Sequence, residues 1–161
     1  FPYTTLFRSG LDYTIRYGSG AWHGTEAEFL CHAPLAPLCT PDIAASLHSP
    51  ADILRFTLLR SYRRDEWTAW MQAAGEHPPS PTHRVMVFDS SVTMLEAAQA
   101  GVGIAIAPVD MFTHLLASER IVQPFATQIE LGSYWLTRLQ SRAETPAMRE
   151  FSRWLVEKMK K

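Results

Sequence analysis

The stretch Val85-Met-Val-Phe-Asp-Ser-Ser-Val-Thr-Met-Leu-Glu-Ala-Ala-Gln-Ala-Gly-Val-Gly-Ile-Ala-Ile-Ala-Pro108 decides the fold. Val85 to Phe88 is a short apolar run that reads as a buried strand. Asp89, Ser90 and Ser91 follow, with side-chain oxygens suited to cap a helix N-terminus. From Val92 to Ala100 only Thr93, Glu96 and Gln99 are polar. They recur every third residue, so the helix shows water one narrow stripe and buries the rest. Gly101 is placed to stop it. Val102 to Ala107 is a second apolar strand, ended by Pro108. Strand, helix and strand this close together predict a parallel crossover unit. In an open α/β sheet, ligands bind where strands end and helices begin, which makes Asp89–Ser91 the first candidate site.

The chain has 161 residues, 47% hydrophobic and 19% charged, with a net charge of −1. That composition predicts a globular, soluble α/β protein of one domain or two small lobes, and excludes disorder. A near-neutral charge argues against a nucleic-acid surface within these residues. No apolar run reaches membrane-spanning length and no secretory signal is present, so a cytoplasmic location is expected. Cys31 and Cys39 sit in or beside apolar runs and read as buried thiols, with a disulfide or metal pair as the alternative.

Outward from the central unit, Phe1-Pro-Tyr-Thr-Thr-Leu-Phe-Arg-Ser9 reads as the translation of a common sequencing adapter. Residues 1–9 are set aside as an artefact, and the natural sequence is expected from about Gly10, in mid-domain. Leu11–Tyr17 is a strand, and Gly18–Gly24 a flexible loop carrying Trp22. Ala27–His32 and Leu35–Cys39 are strand-like pieces, separated by Pro34 and Pro37. Prolines here suggest an edge strand or a crossing between lobes. Thr40-Pro41 and Ser49-Pro50 open two short helices, near Pro41–Ser46 and Pro50–Leu54. Thr57–Arg60 is a strand. Asp65–Ala74 is a helix with Trp67, Trp70, Met71 and Ala74 on one face. Val109–Ser118 is a helix, Ile121–Phe125 and Ile129–Leu131 are extended, and Tyr134–Leu139 is a strand. Thr145-Pro146 caps a last helix with Met148, Phe151, Trp154, Leu155 and Met159 as its apolar stripe.

Ser90 and Ser91 at a helix N-terminus suit a carboxylate or phosphate, or else form an ordinary cap with no ligand. A nucleophilic serine has no support, because the G-x-S-x-G elbow is absent. Gly101-Val-Gly103 enters a strand instead of opening a helix, so it is a helix stop and close-packing turn and not a dinucleotide fingerprint. Arg60, Arg63 and Arg64 around Tyr62 either hold an anion or form a solvated basic turn. The six histidines show no metal spacing. Tyr134 and Trp135, adjacent in a strand, face opposite ways; one is core and the other is free to line a cleft. Arg16 and Trp22 are weaker cleft candidates, placed by the strand-end argument. No nucleophile, base and oxyanion site come together, so no enzyme and no cofactor is expected.

Gly10-Leu-Asp-Tyr-Thr-Ile-Arg-Tyr-Gly18 resembles the D-x-x-I-R-x-G strand of LysR-type transcriptional regulators. The turn Phe88-Asp-Ser-Ser91, the run Ala97–Pro108 and Thr145–Trp154 are similar to the same family. Leu59–Trp67 and Leu131-Gly-Ser-Tyr-Trp135 resemble the branch that governs an inducible class C β-lactamase. The resemblance implies a periplasmic-binding-protein-like fold (type 2) of two Rossmann-like lobes, with an effector cleft between them and the first lobe incomplete. Residues 10–28 and 121–161 are then what remains of lobe one, and 29–120 is lobe two. A winged helix-turn-helix that binds DNA is missing from this stretch. The implied effectors are a UDP-muramyl pentapeptide or an anhydro-muramyl peptide, and the implied full-length assembly is a tetramer. Carried over residue by residue, the effector contacts fall on Ser91, with Asp89 and Ser90 beside it, and on Tyr134 in preference to Trp135. A transport-type solute receptor of the same fold, for a small anionic ligand, is the alternative.

Overall fold

The computed structural model describes residues 10–63 and 65–159. Residues 1–9, read as adapter-derived, and Arg64 of the basic turn lie outside the described residues. The described residues divide into two compact units, one within 10–33 and 131–159, the other within 34–130.

The second unit is built on a four-stranded sheet in the order β3-β6-β4-β5. Its elements are β3 (Leu35–Leu38), α1 (Pro41–Ala45), a 3-10 helix (Pro50–Arg55), β4 (Leu58–Ser61), α2 (Glu66–Ala73), β5 (Val85–Phe88), α3 (Ser91–Gln99), β6 (Ile104–Pro108), a 3-10 turn (Val109–Phe112) and α4 (Thr113–Ala117). β5 and β6 both run parallel to β4, which lies between them. The β5–α3–β6 crossover expected from the sequence is therefore present and spans one intervening strand. β3 closes the far side antiparallel to β6.

β6 is buried along its whole length. One face packs with Trp67, Trp70, Met71 and Ile53. The other packs with Met94, Leu95 and Ala98 of α3 and with Leu59 and Ile121. Gly101, at φ +75°, ends α3 in the left-handed conformation that favours glycine. Gly103 has a different reason: a Cβ there would stand 2.2 Å from the Thr57 carbonyl oxygen, which accepts from Ile104 N at 3.0 Å.

β5 corrects the sequence reading. It is not a buried strand but the edge of the sheet, with Val85, Met86 and Val87 40%, 45% and 55% exposed. Val92 is also 52% exposed, so the wet stripe of α3 is wider than Thr93, Glu96 and Gln99 alone. The segment expected as one helix over 109–118 is a 3-10 turn followed by a short α-helix, and the Pro50 helix is also 3-10.

The first unit is a three-stranded antiparallel sheet, β1 (Thr14–Gly18), β7 (Ser133–Leu139) and β2 (Thr25–His32), in the order β1-β7-β2. α5 (Pro146–Met159) belongs to it, and Thr145 Oγ caps this helix by accepting from Met148 N at 3.2 Å. β1 and β2 are parallel to each other, each pairing with β7. The link between them, residues 19–24, runs from the rung of Ser133 to that of Leu139. That is about 20 Å of strand rise, bridged where parallel crossovers ordinarily use a dozen residues.

The units divide after residues 33 and 130, not at 28/29 and 120/121 as the sequence suggested. β2 stays paired with β7 as far as His32 opposite Ser133, which holds residues 29–32 in the first unit. Backbone bridges Cys39–Val122 and Leu35–Ile129 hold residues 121–130 against β3 in the second. The stripe of α5 is also rotated from expectation. Met148, Ser152 and Val156 are buried, while Phe151 and Trp154 are 45% and 54% exposed. Among the described residues, no helix is long and apolar enough to cross a membrane.

Gly103→Ala is expected to cost about 1–3 kcal/mol by overpacking. Gly101→Ala costs about 1–2 kcal/mol, from the left-handed backbone alone; urea unfolding of both variants checks the order. Leu11, Ile15, Phe151 and Trp154 together predict that residues 10–161, expressed alone, bind a hydrophobic dye and melt without a sharp transition.

Candidate functional site

In the second unit, Asp89, Ser90 and Ser91 turn the chain from β5 into α3. Ser90 is the N-cap: its Oγ accepts from Val92 N at 3.2 Å, and its carbonyl accepts from Thr93 Oγ at 3.0 Å. Ser91 is the first helical residue and half-buried. Its hydroxyl makes no hydrogen bond to any described residue, so the two serines have different duties. Ser90 satisfies the helix; Ser91 offers an uncommitted donor and acceptor at a helix N-terminus, where partial positive charge favours an anion. Asp89 is exposed and adds a negative charge to the same corner.

The neighbouring corner follows β4. Arg60 donates through Nη1 to the carbonyls of Ser61 at 2.8 Å and Arg63 at 3.1 Å, and Arg63 stacks over Tyr62 with 4.9 Å to the ring centroid. Beneath them lies Glu66, 3% exposed, which accepts from Ser61 N at 3.2 Å and Ser61 Oγ at 2.8 Å. Burial pushes the Glu66 carboxyl above the ordinary carboxylate range, and the Ser61 hydrogen bonds and the two arginines only partly offset it. Sequence reasoning passed over Glu66, because an acidic residue in a helix's first turn is unremarkable.

In the first unit, the residues proposed from sequence lie on opposite faces of one sheet. Arg16 is opposite Trp135 and shares its face, while Tyr17 is opposite Tyr134 on the other. The Arg16 guanidinium sits 4.4 Å over the Trp22 ring. Trp135 Nε1 donates to Gly18 O at 3.0 Å, and its indole lies under Gly20, where a Cβ would come within 2.7 Å. Phe29 meets Trp135 edge-on, with centroids 5.4 Å apart. Tyr134 meets the Tyr17 ring at 5.4 Å and packs against the cluster of Leu30, Leu136 and Val156. The geometry therefore groups Arg16 with Trp22 and separates that pair from Tyr134.

Both cysteines are free thiols; Cys39 is fully buried and its thiol is pushed up to about 11. Among the described residues, no group of three or more His, Cys, Asp or Glu is arranged to hold a metal ion.

The family model of the LysR substrate-binding domain matches residues 4–160, which is nearly the whole chain. The chain belongs to the LysR substrate-binding domain family. The match begins inside the stretch read as adapter-derived. The chain is 99% identical over 152 residues to the HTH-type transcriptional activator AmpR of Enterobacter cloacae, covering 94% of this chain and 52% of that protein. It spans about half the length of the curated relatives it matches. Among solved structures, it superposes on the AmpR effector-binding domain of Citrobacter freundii with a TM-score of 0.92 at 75% identity, covering 94% of this chain and 76% of that one. A variant of the same Citrobacter domain, with one threonine, one serine and one tyrosine substituted, superposes equally at 0.92 and 74% identity, with the same coverage of both chains. The fold is thus the type 2 periplasmic-binding-protein-like fold of these domains, with mixed α/β sheets.

Ser90→Ala is expected to cost about 1 kcal/mol through loss of the cap, while Ser91→Ala leaves stability unchanged; thermal melts compare them. Glu66 has its folded-state pKa raised, so its contribution is fully present below about 4.5 and is lost as pH climbs through the raised value. Glu66→Gln is expected to remove that decline from a stability–pH profile.

Proposed function

We propose that this chain is the effector-sensing part of a LysR-type transcriptional regulator that binds peptidoglycan-derived muropeptides and controls a class C β-lactamase gene. The observation that carries the reading is the uncommitted hydroxyl of Ser91 at the N-terminus of α3, beside a neighbour already spent on capping. A muropeptide carries peptide carboxylates, and a hydroxyl with free helix amides is a chemical match for one. Tyr134 supplies the second contact, a phenol whose ring is steadied by Tyr17. The substituted serine and tyrosine of the Citrobacter variant are separated by the same number of residues as Ser91 and Tyr134, which supports this pair over Ser90 or Trp135. The substituted threonine stands too far upstream of that serine to have a counterpart here.

Asp89 and Ser90 stand beside Ser91 as secondary contacts, Ser90 with its hydroxyl already spent on the helix cap. Arg16 and Trp22, stacked on each other and on the face away from Tyr134, are the weakest of the proposed contacts. The longer protein binds DNA through a helix-turn-helix outside this chain, acts as a tetramer in the cytoplasm, and is a sensor without catalysis. Its relatives' description as HTH-type transcriptional activators supports that reading. The effector works by binding one conformation of the regulator better than another; equal binding to both would change nothing.

The test is calorimetric titration of the full-length protein with UDP-N-acetylmuramyl pentapeptide and an anhydro-muramyl tripeptide. Ser91→Ala and Tyr134→Phe are each expected to weaken binding by about tenfold, the value of one charge-assisted hydrogen bond, with melting and promoter binding unchanged. Wild-type affinity in both variants would remove these residues from the site. Binding with no effect on promoter affinity would favour a transport-type receptor.

A further inference from the structure

β4 and β5 are parallel, adjacent and in register, with Ser61 opposite Phe88. They end on the same rung, so the turns that leave them, at residues 62–63 and 89–90, lie side by side at one end of the sheet. An anion at Ser91 has a charge problem at its own turn, because the acidic side chain of Asp89 stands two residues before it. Among the described residues, the neighbouring strand and its turn carry Arg60, opposite Val87, and Arg63, in the turn after Ser61. Arg60 is committed to two backbone carbonyls and braces the turn. Arg63 lies on the ring of Tyr62, which is 53% exposed.

The turn that carries Tyr62 and Arg63 is over-determined. Glu66 accepts both Ser61 N and Ser61 Oγ; Ser61 Oγ in turn accepts Arg63 N at 3.2 Å. Arg60 closes the same turn from its carbonyl side. Burying a carboxylate costs free energy that an apolar residue beside Trp67 would not. Among the described residues of this unit, the buried carboxylate is that of Glu66, under the corner next to Ser91. Ionisable groups perturbed by burial and by specific charge partners cluster at functional sites.

We propose that the Tyr62–Arg63 corner is the second contact of the effector site in this unit, supplying the positive charge and ring surface that Ser91 lacks. Glu66 is the positioning residue that holds it in shape. The ligand class follows: an acidic molecule with a ring beside its anionic group, a carboxylate or phosphate set against a sugar or base. This deepens the proposed function and rests on Ser91 being an effector contact.

The experiment is calorimetric titration of the full-length protein with UDP-N-acetylmuramyl pentapeptide at two salt concentrations. Ser91→Ala, Arg63→Gln, Arg63→Lys, Glu66→Gln and the Arg63→Gln/Glu66→Gln pair are compared, with melting curves as the folding control. Arg63→Gln is expected to weaken binding about tenfold and flatten its salt dependence, with Arg63→Lys recovering part of both. Glu66→Gln is expected to weaken binding about threefold, and the pair to be no weaker than Arg63→Gln alone, because both act through one guanidinium. A loss for Ser91→Ala with wild-type affinity in Arg63→Gln overturns this inference and leaves the effector reading standing. Wild-type affinity in both overturns the effector reading, and this inference with it. Fully additive losses in the pair overturn the positioning role of Glu66. Should Glu66→Gln fail to fold, the Arg63→Gln and Arg63→Lys titrations still decide the corner's role.

Discussion

A carbonyl oxygen that leaves no room for a methyl group holds the second unit together. Thr57 O receives the Ile104 amide, and the chain can approach that closely only because residue 103 is glycine. That approach brings β6 alongside β4, and β6 then fills the middle of the unit, buried on both faces. α3 covers one face of it through Met94, Leu95 and Ala98. The corner with Ser90 and Ser91 is thus placed by a packing constraint at the opposite end of the helix it opens.

Much of this was legible in the residues. The run from Val85 to Pro108 carried its own punctuation: cap residues, an apolar helix with spaced polar positions, and a glycine in the left-handed region. Of the three residues suited to cap α3, Asp89, Ser90 and Ser91, it is Ser90 that does so, and Thr145 caps α5 as its place before Pro146 predicts. Gly103 was read as a close-packing residue and is one. What was not legible depended on neighbours distant in sequence. Val85–Phe88 looks the same whether a sheet flanks it on both sides or one, and only the strand order shows that it is an edge. The stripe of α5 pairs Ser152 with Glu28 rather than presenting Phe151 and Trp154 to the sheet, a preference set by β2.

The candidate site shows the same division. Alternation told that Tyr134 and Trp135 face opposite ways; it did not tell which of them shares a face with Arg16, because that needs the register of β1 against β7. Glu66 was invisible for a related reason. Its residue type and place in the helix predict a solvated side chain, and its burial comes from folding back onto Ser61 across a turn. Buried charges of this kind are the features a one-dimensional pattern conceals most completely.

The short link across residues 19–24 has a mechanical consequence. A path of about 20 Å covered by so few residues leaves almost no slack, at roughly 3.3–3.6 Å per extended residue. β1 and β2 are therefore yoked: one cannot slide along β7 without dragging the other. Deleting a single residue from this tether would force one of the two strands out of step, whereas the proline-rich loop before β5 can lengthen or shorten without altering any strand's pairing.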